Sequence, residues 1–251
     1  MNPTDRPDPA ASPAALPGSL ALAQQRLEAL FTRDAAGDLL AINELDPEPA
    51  GPAPRVYCGL TAAGAVFACR ADTPPALRHA VAQLCATPPG DLANPQPFLA
   101  ALRDLLARHG EGDTAPEVAY GPAYVFPETP VIPADATLIS PGDEALLAPE
   151  FPYLATWLRE HWPCYAVVQD GRAVAVCNSS RRTAHVAEAG VDTIAVARGR
   201  GYAPRVVAAW AGALRAAGIT PVYSTSHNNL ASQAVARKLG LRHVGWDVSV
   251  E

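Results

Sequence analysis

Apolar residues in the first half of the chain recur with helical and strand-like spacing in turn. Spacings of three and four predict three helices, which are Leu20–Phe31, a helix that begins at Pro75, and Pro97–His109. Short apolar runs predict three strands, Leu39–Asn43, Arg55–Leu60 and Ala65–Arg70, of which the last two form a hairpin. The pattern therefore predicts a small α+β unit in this half, with no recognisable catalytic or binding motif.

The second half of the chain predicts a longer series of strands and helices. A short edge strand at Thr137–Ser140 precedes a helix over Glu144–His161 that prolines interrupt. Asp170-Gly171 predicts a two-residue hairpin turn between strands. The predicted strands are Cys164–Gln169, Arg172–Cys177, Ala187–Val196, Thr220–Ser226 and Arg242–Val250, and the predicted helices run from Pro204 to Ala217 and over Leu230–Leu239.

The distribution of proline suggests how the chain is divided. Of the 26 prolines, only Pro204 and Pro221 follow Pro163. Residues 1–18 lack any hydrophobic period and are expected to form a disordered tail. The Gly-, Pro- and acid-rich stretch Gly110–Pro133 is expected to be a linker. We therefore predict an N-terminal α+β domain with its linker over 19–133 and a second domain over 134–251.

Charge, hydropathy and cysteine usage narrow the class of protein. A formal net charge of -6 argues against a nucleic-acid partner, which would need clustered Lys and Arg. No apolar run reaches the ~20 residues that span a bilayer, and the N-terminus lacks the features of a signal peptide. The five cysteines are widely spaced and include no C-x-x-C pair. We therefore expect a cytoplasmic protein with no membrane partner, no disulfide framework and no metal site.

A glycine-rich turn follows the third strand of the second half and leads directly into a helix. It reads Arg198-Gly199-Arg200-Gly201-Tyr202-Ala203-Pro204. Glycines let the backbone approach a ligand closely, and the free N–H groups at a helix start favour phosphate oxygens. A dinucleotide fingerprint would need a third glycine three positions after Gly201, and a P-loop would need a G-K-[ST] sequence, which the chain lacks. The sequence therefore argues against both a dinucleotide-binding site and a P-loop.

The turn and the elements after it resemble the GNAT superfamily of acetyl-CoA-dependent N-acetyltransferases. The family signature [QR]-x-x-G-x-[GA] fits residues 198–203, and the Asn and the Lys-Leu-Gly ending of the family's next helix correspond to Asn229 and Lys238-Leu239-Gly240. The runs Glu188-Ala189-Gly190-Val191, Tyr223–Ser226 and 231–234 look like the bacterial FR47-like subgroup. The resemblance covers about residues 135–251. The first half is either a degenerate copy of the same fold or a shield over the acceptor site.

The resemblance implies an α/β fold (mixed α+β), with a central mixed, splayed β-sheet, that binds acetyl-CoA. In such a fold, backbone amides of the glycine turn hold the pyrophosphate and a strand edge holds the pantetheine arm. Asn229 contacts the cofactor, caps the next helix, or does both. The implied cofactor-binding residues are Thr193, Ile194, Ala195, Arg198, Gly199, Arg200, Gly201, Tyr202, Ala203, Asn229 and Ser232.

For catalysis, Glu188 is our candidate general base, because an ammonium acceptor must lose a proton before it can attack. His185 is a second candidate. The family's general-acid tyrosine corresponds to Ala236, so that role cannot be carried over, and the hydroxyls of Ser232, Tyr202 and Tyr223 remain as substitutes.

The function implied is acetyl transfer to a small-molecule amine by a monomer or homodimer. A non-catalytic acyl-CoA sensor is the alternative, and a dinucleotide-dependent module is a weaker third hypothesis.

Overall fold

The structure is a computed structural model that describes residues 19–46, 49–87, 89–109, 116–128 and 135–251. The predicted tail at 1–18 lies outside these residues. The described residues form seven α-helices and eleven strands, and nine of the strands build one mixed sheet.

The elements that precede residue 134 are helices α1 to α3 and strands β1 to β5. Their order is α1 (Leu20–Leu30), β1 (Phe31–Arg33), β2 (Leu39–Ile42), β3 (Val56–Thr61), β4 (Gly64–Cys69), α2 (Pro75–Ala86), α3 (Gln96–His109) and β5 (Val118–Val125). Ser19 caps α1, since its hydroxyl accepts a hydrogen bond from the Leu22 amide at 3.2 Å. The predicted helices and the β3–β4 hairpin are confirmed.

The elements that follow residue 134 surround the glycine turn. They are β6 (Thr137–Ile139), α4 (Glu144–Leu147), α5 (Pro152–Thr156), β7 (Cys164–Gln169), β8 (Arg172–Arg182), β9 (Val186–Thr193), α6 (Tyr202–Ala216), β10 (Thr220–Ser224), α7 (Leu230–Lys238) and β11 (Arg242–Val250). A short 3₁₀ turn, Ala195–Ala197, lies between β9 and the glycine turn.

The interruption expected in the helix over Glu144–His161 is confirmed, because Pro149 and Pro152 remove the N–H groups that a continuous helix needs. Its second part ends at Thr156 rather than at His161. Two other expectations about these elements were wrong. The strand expected to reach Val196 ends at Thr193. The stretch expected to be a linker contains β5, an eight-residue strand.

The large sheet has the order β4-β3-β11-β5-β10-β9-β8-β7-β6. Neighbouring strands within the described residues pair antiparallel, except for β9 and β10, which pair parallel. Helices cover both faces of this sheet. The prediction of a mixed α/β fold with a splayed central sheet is confirmed.

Strand β5 sits in the interior of the sheet, between β10 and β11. Its residues pair antiparallel with Val222–Ser224 on one side and with Arg242–Val250 on the other. Strand β3 then pairs with the far edge of β11. Hydrogen bonds of one sheet therefore join the two halves, while the domain boundaries drawn from the sequence stay a prediction.

Alternation along the strands assigns each side chain to one face of the sheet. Ala187, Cys177 and Tyr223 pack with Trp210 of α6, and the Trp210 indole N–H donates to the Ser179 hydroxyl at 3.2 Å. On the opposite face, Val186 and Val222 pack with Leu22 and Ala29 of α1. Helix α1 thus covers the middle of the sheet from the side opposite α6.

The described residues contain neither a membrane-spanning helix nor a metal-binding group of side chains. No helix there has the length and apolar character needed to cross a bilayer. Nor is there a group of three or more His, Cys, Asp or Glu side chains arranged to hold a metal ion. All five cysteines are buried and unpaired by disulfides.

We expect Gly121→Ala to lower the free energy of unfolding by about 1–3 kcal/mol. A Cβ at position 121 would lie 1.8 Å from the carbonyl oxygen of Thr225, a backbone atom that cannot move without disturbing β5. Urea unfolding followed by circular dichroism measures the change. The matched control is Gly212→Ala in α6, where a Cβ meets open space, and it should raise the free energy by about 0.5–1 kcal/mol. Equal effects of the two variants would contradict the argument.

Candidate functional site

The parallel strands β9 and β10 separate after a short paired stretch. They pair at three positions, which end with Glu188 opposite Val222. Beyond that point β9 continues through 189–193 against β8 alone, while Tyr223 and Ser224 pair with β5. The edge of β9 that faces β10 therefore opens into a gap in the sheet.

The glycine turn lies at the wide end of this gap. Gly199 and Gly201 both have positive φ angles, 75° and 78°, which side chains with a Cβ adopt rarely. Gly201 is the N-cap of α6, and no side chain caps this helix start. The amides of Tyr202 and Ala203 are the first N–H groups of α6, and this N-terminus is the positive end of the helix dipole. The turn therefore offers backbone donors suited to an anion.

A cleft of about 550 Å³ joins the gap to the glycine turn. Its third wall is one face of α7, because residues spaced three and four apart share a helix face. Lys238, the only lysine of the chain, is the last residue of that face. The lining residues are Val191, Asp192, Thr193, Ala197, Arg198, Gly199, Gly201, Tyr202, Ala203, Pro204, Tyr223, Asn229, Ala231, Ser232, Ala234, Val235 and Lys238.

Most of the cofactor-binding residues expected from the sequence line this cleft. They are Thr193, Arg198, Gly199, Gly201, Tyr202, Ala203, Asn229 and Ser232. Ile194, Ala195 and Arg200 do not line it. The strand edge expected at Thr193–Ala195 is wrong for Ala195, which begins the 3₁₀ turn. Spacing along the predicted helix from Leu230 could have found Ala231, Val235 and Lys238, which the sequence reading missed.

Two hydroxyl groups of the cleft wall, those of Thr193 and Tyr223, are polar groups that a ligand would contact. The Thr193 hydroxyl is buried and makes no hydrogen bond within the described residues. The Tyr223 hydroxyl lies 2.7 Å from that of Ser232, and burial raises the pKa of Tyr223 to about 12. Tyr223 therefore keeps its proton at neutral pH.

Asn229 holds the start of α7. Its side-chain oxygen accepts a hydrogen bond from the Ser232 amide at 3.0 Å, which is the geometry of an N-cap. The capping role expected for Asn229 is thus confirmed, and the residue lines the cleft as well. Gly240, with φ 65°, and the Leu241 amide, which donates to the Ala236 carbonyl at 3.0 Å, end the helix.

Glu188 lies at the point where β9 and β10 part, with its side chain on the α1 face. It is 6% exposed, and neither carboxyl oxygen has a hydrogen-bond partner among the described residues. Burial raises its pKa above the ordinary value, while the nearby Arg26 guanidinium opposes that shift. Glu188 is thus buried, and it lines neither this cleft nor the second cavity described below.

The other two residues considered for catalysis lie elsewhere. His185 is exposed in the turn before β9, at the end of the strand far from the gap. Ala236 is fully buried against the α6 side of the sheet, packed with Leu239 and Trp210 in one apolar cluster. The position where the family carries a tyrosine is therefore occupied by core packing.

A second cavity, of about 420 Å³, lies on the opposite face of the sheet and shares Val191 and Asp192 with the cleft. Its apolar wall comes from α5 and β8. Three carboxylates and one guanidinium also line it, those of Glu44, Glu150, Asp192 and Arg181. The full lining is Glu44, Glu150–Leu154, His161, Val176, Asn178, Ser180, Arg181 and Gly190–Asp192. Sequence reasoning did not point to this cavity.

His161 is one of two buried polar residues of the second cavity, and Asn178 is the other. The His161 Nδ1 lies 2.8 Å from the Ser179 carbonyl oxygen and 3.1 Å from the Asn178 side-chain nitrogen. Its Nε2 lies 3.9 Å from the Asp46 carboxylate, which also accepts a hydrogen bond from the Tyr153 hydroxyl. Asp46 and Glu44 come from the N-terminal half, which therefore helps to build this cavity.

Several solved structures resemble the chain. A GNAT-family protein from Novosphingobium aromaticivorans is 25% identical over 53% of this chain and 64% of its own (TM-score 0.43). A GNAT-family acetyltransferase from Colwellia psychrerythraea is 17% identical over 60% and 62% (TM-score 0.45). A GCN5-related N-acetyltransferase-like protein from Streptococcus suis is 16% identical over 93% and 100% (TM-score 0.45). Because these TM-scores lie below 0.5, we draw no conclusion from them.

The chain thus spans less than two thirds of the first two of these proteins. No curated protein matches the chain at a significant level. The assignment to the FR47-like subgroup stays a prediction. A family model described as GNAT acetyltransferase matches residues 151–245, the segment that contains the gap between β9 and β10, the glycine turn and α7. That match supports the GNAT superfamily for this part of the chain.

Proposed function

We propose that the protein is an N-acetyltransferase that moves the acetyl group of acetyl-CoA to the amine of a small molecule. The observation that carries this proposal is the cleft that joins the glycine turn to the gap between β9 and β10, two strands that part after Glu188. It lies in the segment that matches the GNAT acetyltransferase model. We expect a monomer or homodimer to catalyse this acetyl transfer in the cytoplasm, with no nucleic-acid or membrane partner.

The cleft fits coenzyme A on three counts. The amides of Gly199, Gly201, Tyr202 and Ala203 would hold the pyrophosphate, since nothing lies within 4 Å of where a Cβ of either glycine would be. Lys238 and Arg198 line the same cleft and supply positive charge. The unpaired Thr193 hydroxyl and the open edge of β9 provide polar groups for the pantetheine arm.

Acetyl-CoA, when bound, supplies an activated acetyl thioester. From Val191 at the inner side of the cleft, three further residues of β9 lead to Glu188, a distance of about 10 Å at ~3.3 Å per residue. Glu188 would take the proton that the acceptor ammonium must lose, and its raised pKa makes it a stronger base than an ordinary glutamate. The Tyr223 hydroxyl, protonated and paired with Ser232, would donate to the departing sulfur.

The second cavity is the site we propose for the acceptor. Only β9 separates it from the cleft, at Val191 and Asp192. In its lining, Glu44 is paired with Arg181 and Glu150 with Arg172, so Asp192 is the lining carboxylate without an ion pair among the described residues. That carboxylate favours a cation, and the apolar wall favours a compact hydrocarbon body. We therefore propose a primary amine of small size as the acceptor.

The alternative function is a non-catalytic acyl-CoA sensor. Ala236 favours it, because the family's general acid is replaced there by a buried methyl group. A sensor would bind acetyl-CoA but would release no CoA in the presence of amines. Incubation with acetyl-CoA and a panel of primary amines, including benzylamine and 1,4-diaminobutane, with a thiol reagent to detect free CoA, separates the two functions.

We expect acetyl-CoA and CoA, but not NAD, to raise the melting temperature of the protein. At 100 times Kd a ligand adds about 2.7 kcal/mol to the free energy of unfolding. Lys238→Gln should weaken acetyl-CoA binding by about 5- to 10-fold, since one charge near a phosphate is worth about 1 kcal/mol or more. Isothermal titration calorimetry measures the affinity.

The matched control for that prediction is Arg237→Gln. It removes the same charge from the same helix end, but Arg237 does not line the cleft. Its affinity for acetyl-CoA should match that of the unchanged protein. If CoA species bind to neither protein, the proposed function is wrong.

We expect Glu188→Gln to lower the rate of CoA release by about 10²-fold or more while acetyl-CoA affinity is retained. A base works only when deprotonated, so the rate of the unchanged enzyme should fall as the pH drops below the raised pKa of Glu188. That acid limb should vanish in Glu188→Gln. The measurement is the rate of CoA release against pH with an active amine. An unchanged rate and an unchanged pH profile would remove Glu188 from the mechanism.

A further inference from the structure

A buried group of charged side chains lies beneath α1, on the face of the sheet where Glu188 points. Arg26 of α1 is 4% exposed and forms an ion pair with Asp247 of β11. The Tyr57 hydroxyl of β3 donates to the other oxygen of Asp247 at 2.6 Å. Asp247 is therefore saturated on both oxygens by partners from the N-terminal half.

Glu188 completes this group and has no ion-pair partner among the described residues, although Ser224 lies close to its carboxyl group. Its two oxygens make no hydrogen bond in the part of the chain that the structure describes. The one guanidinium of the group thus faces two carboxyl groups, and it binds Asp247 directly. Because an unpaired buried charge is costly, the balance of these three groups decides whether Glu188 carries a proton.

The Arg26 guanidinium is bonded to Asp247 and interacts electrostatically with Glu188. Strand β5 places Gly121 opposite Asp247, and Ala123 opposite Ser224, on this face. Ser224 is near enough to Glu188 to oppose the rise in its pKa. Arg181, whose backbone is registered with Glu188, sends its guanidinium to Glu44 at 2.7 Å instead. Arg26 is therefore the cation of this group, and the other groups that face Glu188 are Asp247, Tyr57 and Ser224.

We propose that Arg26 and Asp247 are positioning residues for Glu188: the N-terminal helix brings a guanidinium beside the carboxyl group at the gap, and Asp247 holds that guanidinium in place. This inference rests on the proposed function for the role of Glu188 as a base. It gives the N-terminal half a part in the site, since α1 and β3 supply Arg26 and Tyr57.

The two residues act on Glu188 in opposite directions. Asp247 disfavours the charged form of Glu188 and raises its pKa, whereas Arg26 favours that form and lowers it. Removing the negative charge of Asp247 should therefore make Glu188 ionise at lower pH. Removing the positive charge of Arg26 should make it ionise at higher pH. A role in stability alone would not give opposite shifts.

The test is carbon-13 NMR of protein labelled at the glutamate carboxyl carbons. The signal of Glu188 is assigned by its loss in Glu188→Gln, and its chemical shift is followed against pH. We expect Asp247→Asn to lower the titration midpoint by about one pH unit, and Arg26→Met to raise it by about as much. Arg26→Lys, which keeps the charge, should leave the midpoint near that of the unchanged protein.

The matched controls are Arg33→Met and Glu28→Gln, which break the more exposed Arg33–Glu28 pair (3.2 Å). Neither should shift the titration of Glu188. Arg26→Met leaves Asp247 without its cation and could prevent folding. In that case the titration midpoint of Glu188 in Asp247→Asn is by itself the test of the inference. An unchanged or raised midpoint in Asp247→Asn would overturn the inference.

This measurement needs neither acetyl-CoA nor an acceptor, so it separates the two proposals. Opposite shifts in a protein that binds no CoA would support the positioning inference and refute the proposed function. CoA release that depends on Glu188, with no shift in Asp247→Asn, would refute the inference and leave the proposed function standing.

Discussion

The rest of the structure depends on the hydrogen bonding of β5 between β10 and β11. This strand occupies the place beside β10 on the side away from β9, so the last residues of β10 follow β5 rather than β9. The parallel pair therefore ends at Glu188 and Val222, and the gap opens from there. Because Gly121 passes against the Thr225 carbonyl, the fit allows no side chain at that position. A strand from the first half thus shapes the gap in the second.

The same arrangement explains why a charged group lies under α1. With β5 and β11 in the sheet, Asp247 comes onto the face that α1 covers, and Tyr57 follows from β3. Burial by itself disfavours the charged form of Arg26, but Asp247, Tyr57 and Glu188 more than reverse this and raise its pKa. Burial likewise raises the pKa of Tyr57. The group is thus held together by mutual charge in a largely buried place, where the Asp247 side chain is still 17% exposed, and Glu188 is the member without an ion pair among the described residues.

The two cavities follow from the alternation of side chains along β9. Ala187 and Ala189 face α6, while Glu188 and Gly190 face α1 and α5. A ligand held by the glycine turn would lie on the first side, and an amine in the second cavity would lie on the other. The gap between β9 and β10 is where the two sides meet. Transfer between two ligands on opposite faces of a sheet is chemically reasonable only where such an opening exists.

By itself, the sequence determined the local elements and the glycine turn. Periodicity predicted the β3–β4 hairpin, and residues 198–204 predicted a strand, a glycine turn and a helix, because turn chemistry and helix starts are local properties. The cleft includes most of the residues so expected. What the sequence could not give were the contacts between distant segments: β5 inside the sheet, the Arg26–Asp247 pair, and the Glu44 and Asp46 side chains at the second cavity. Those depend on strand pairing and helix packing across more than a hundred residues, which no local pattern records, and only the tertiary structure decided them.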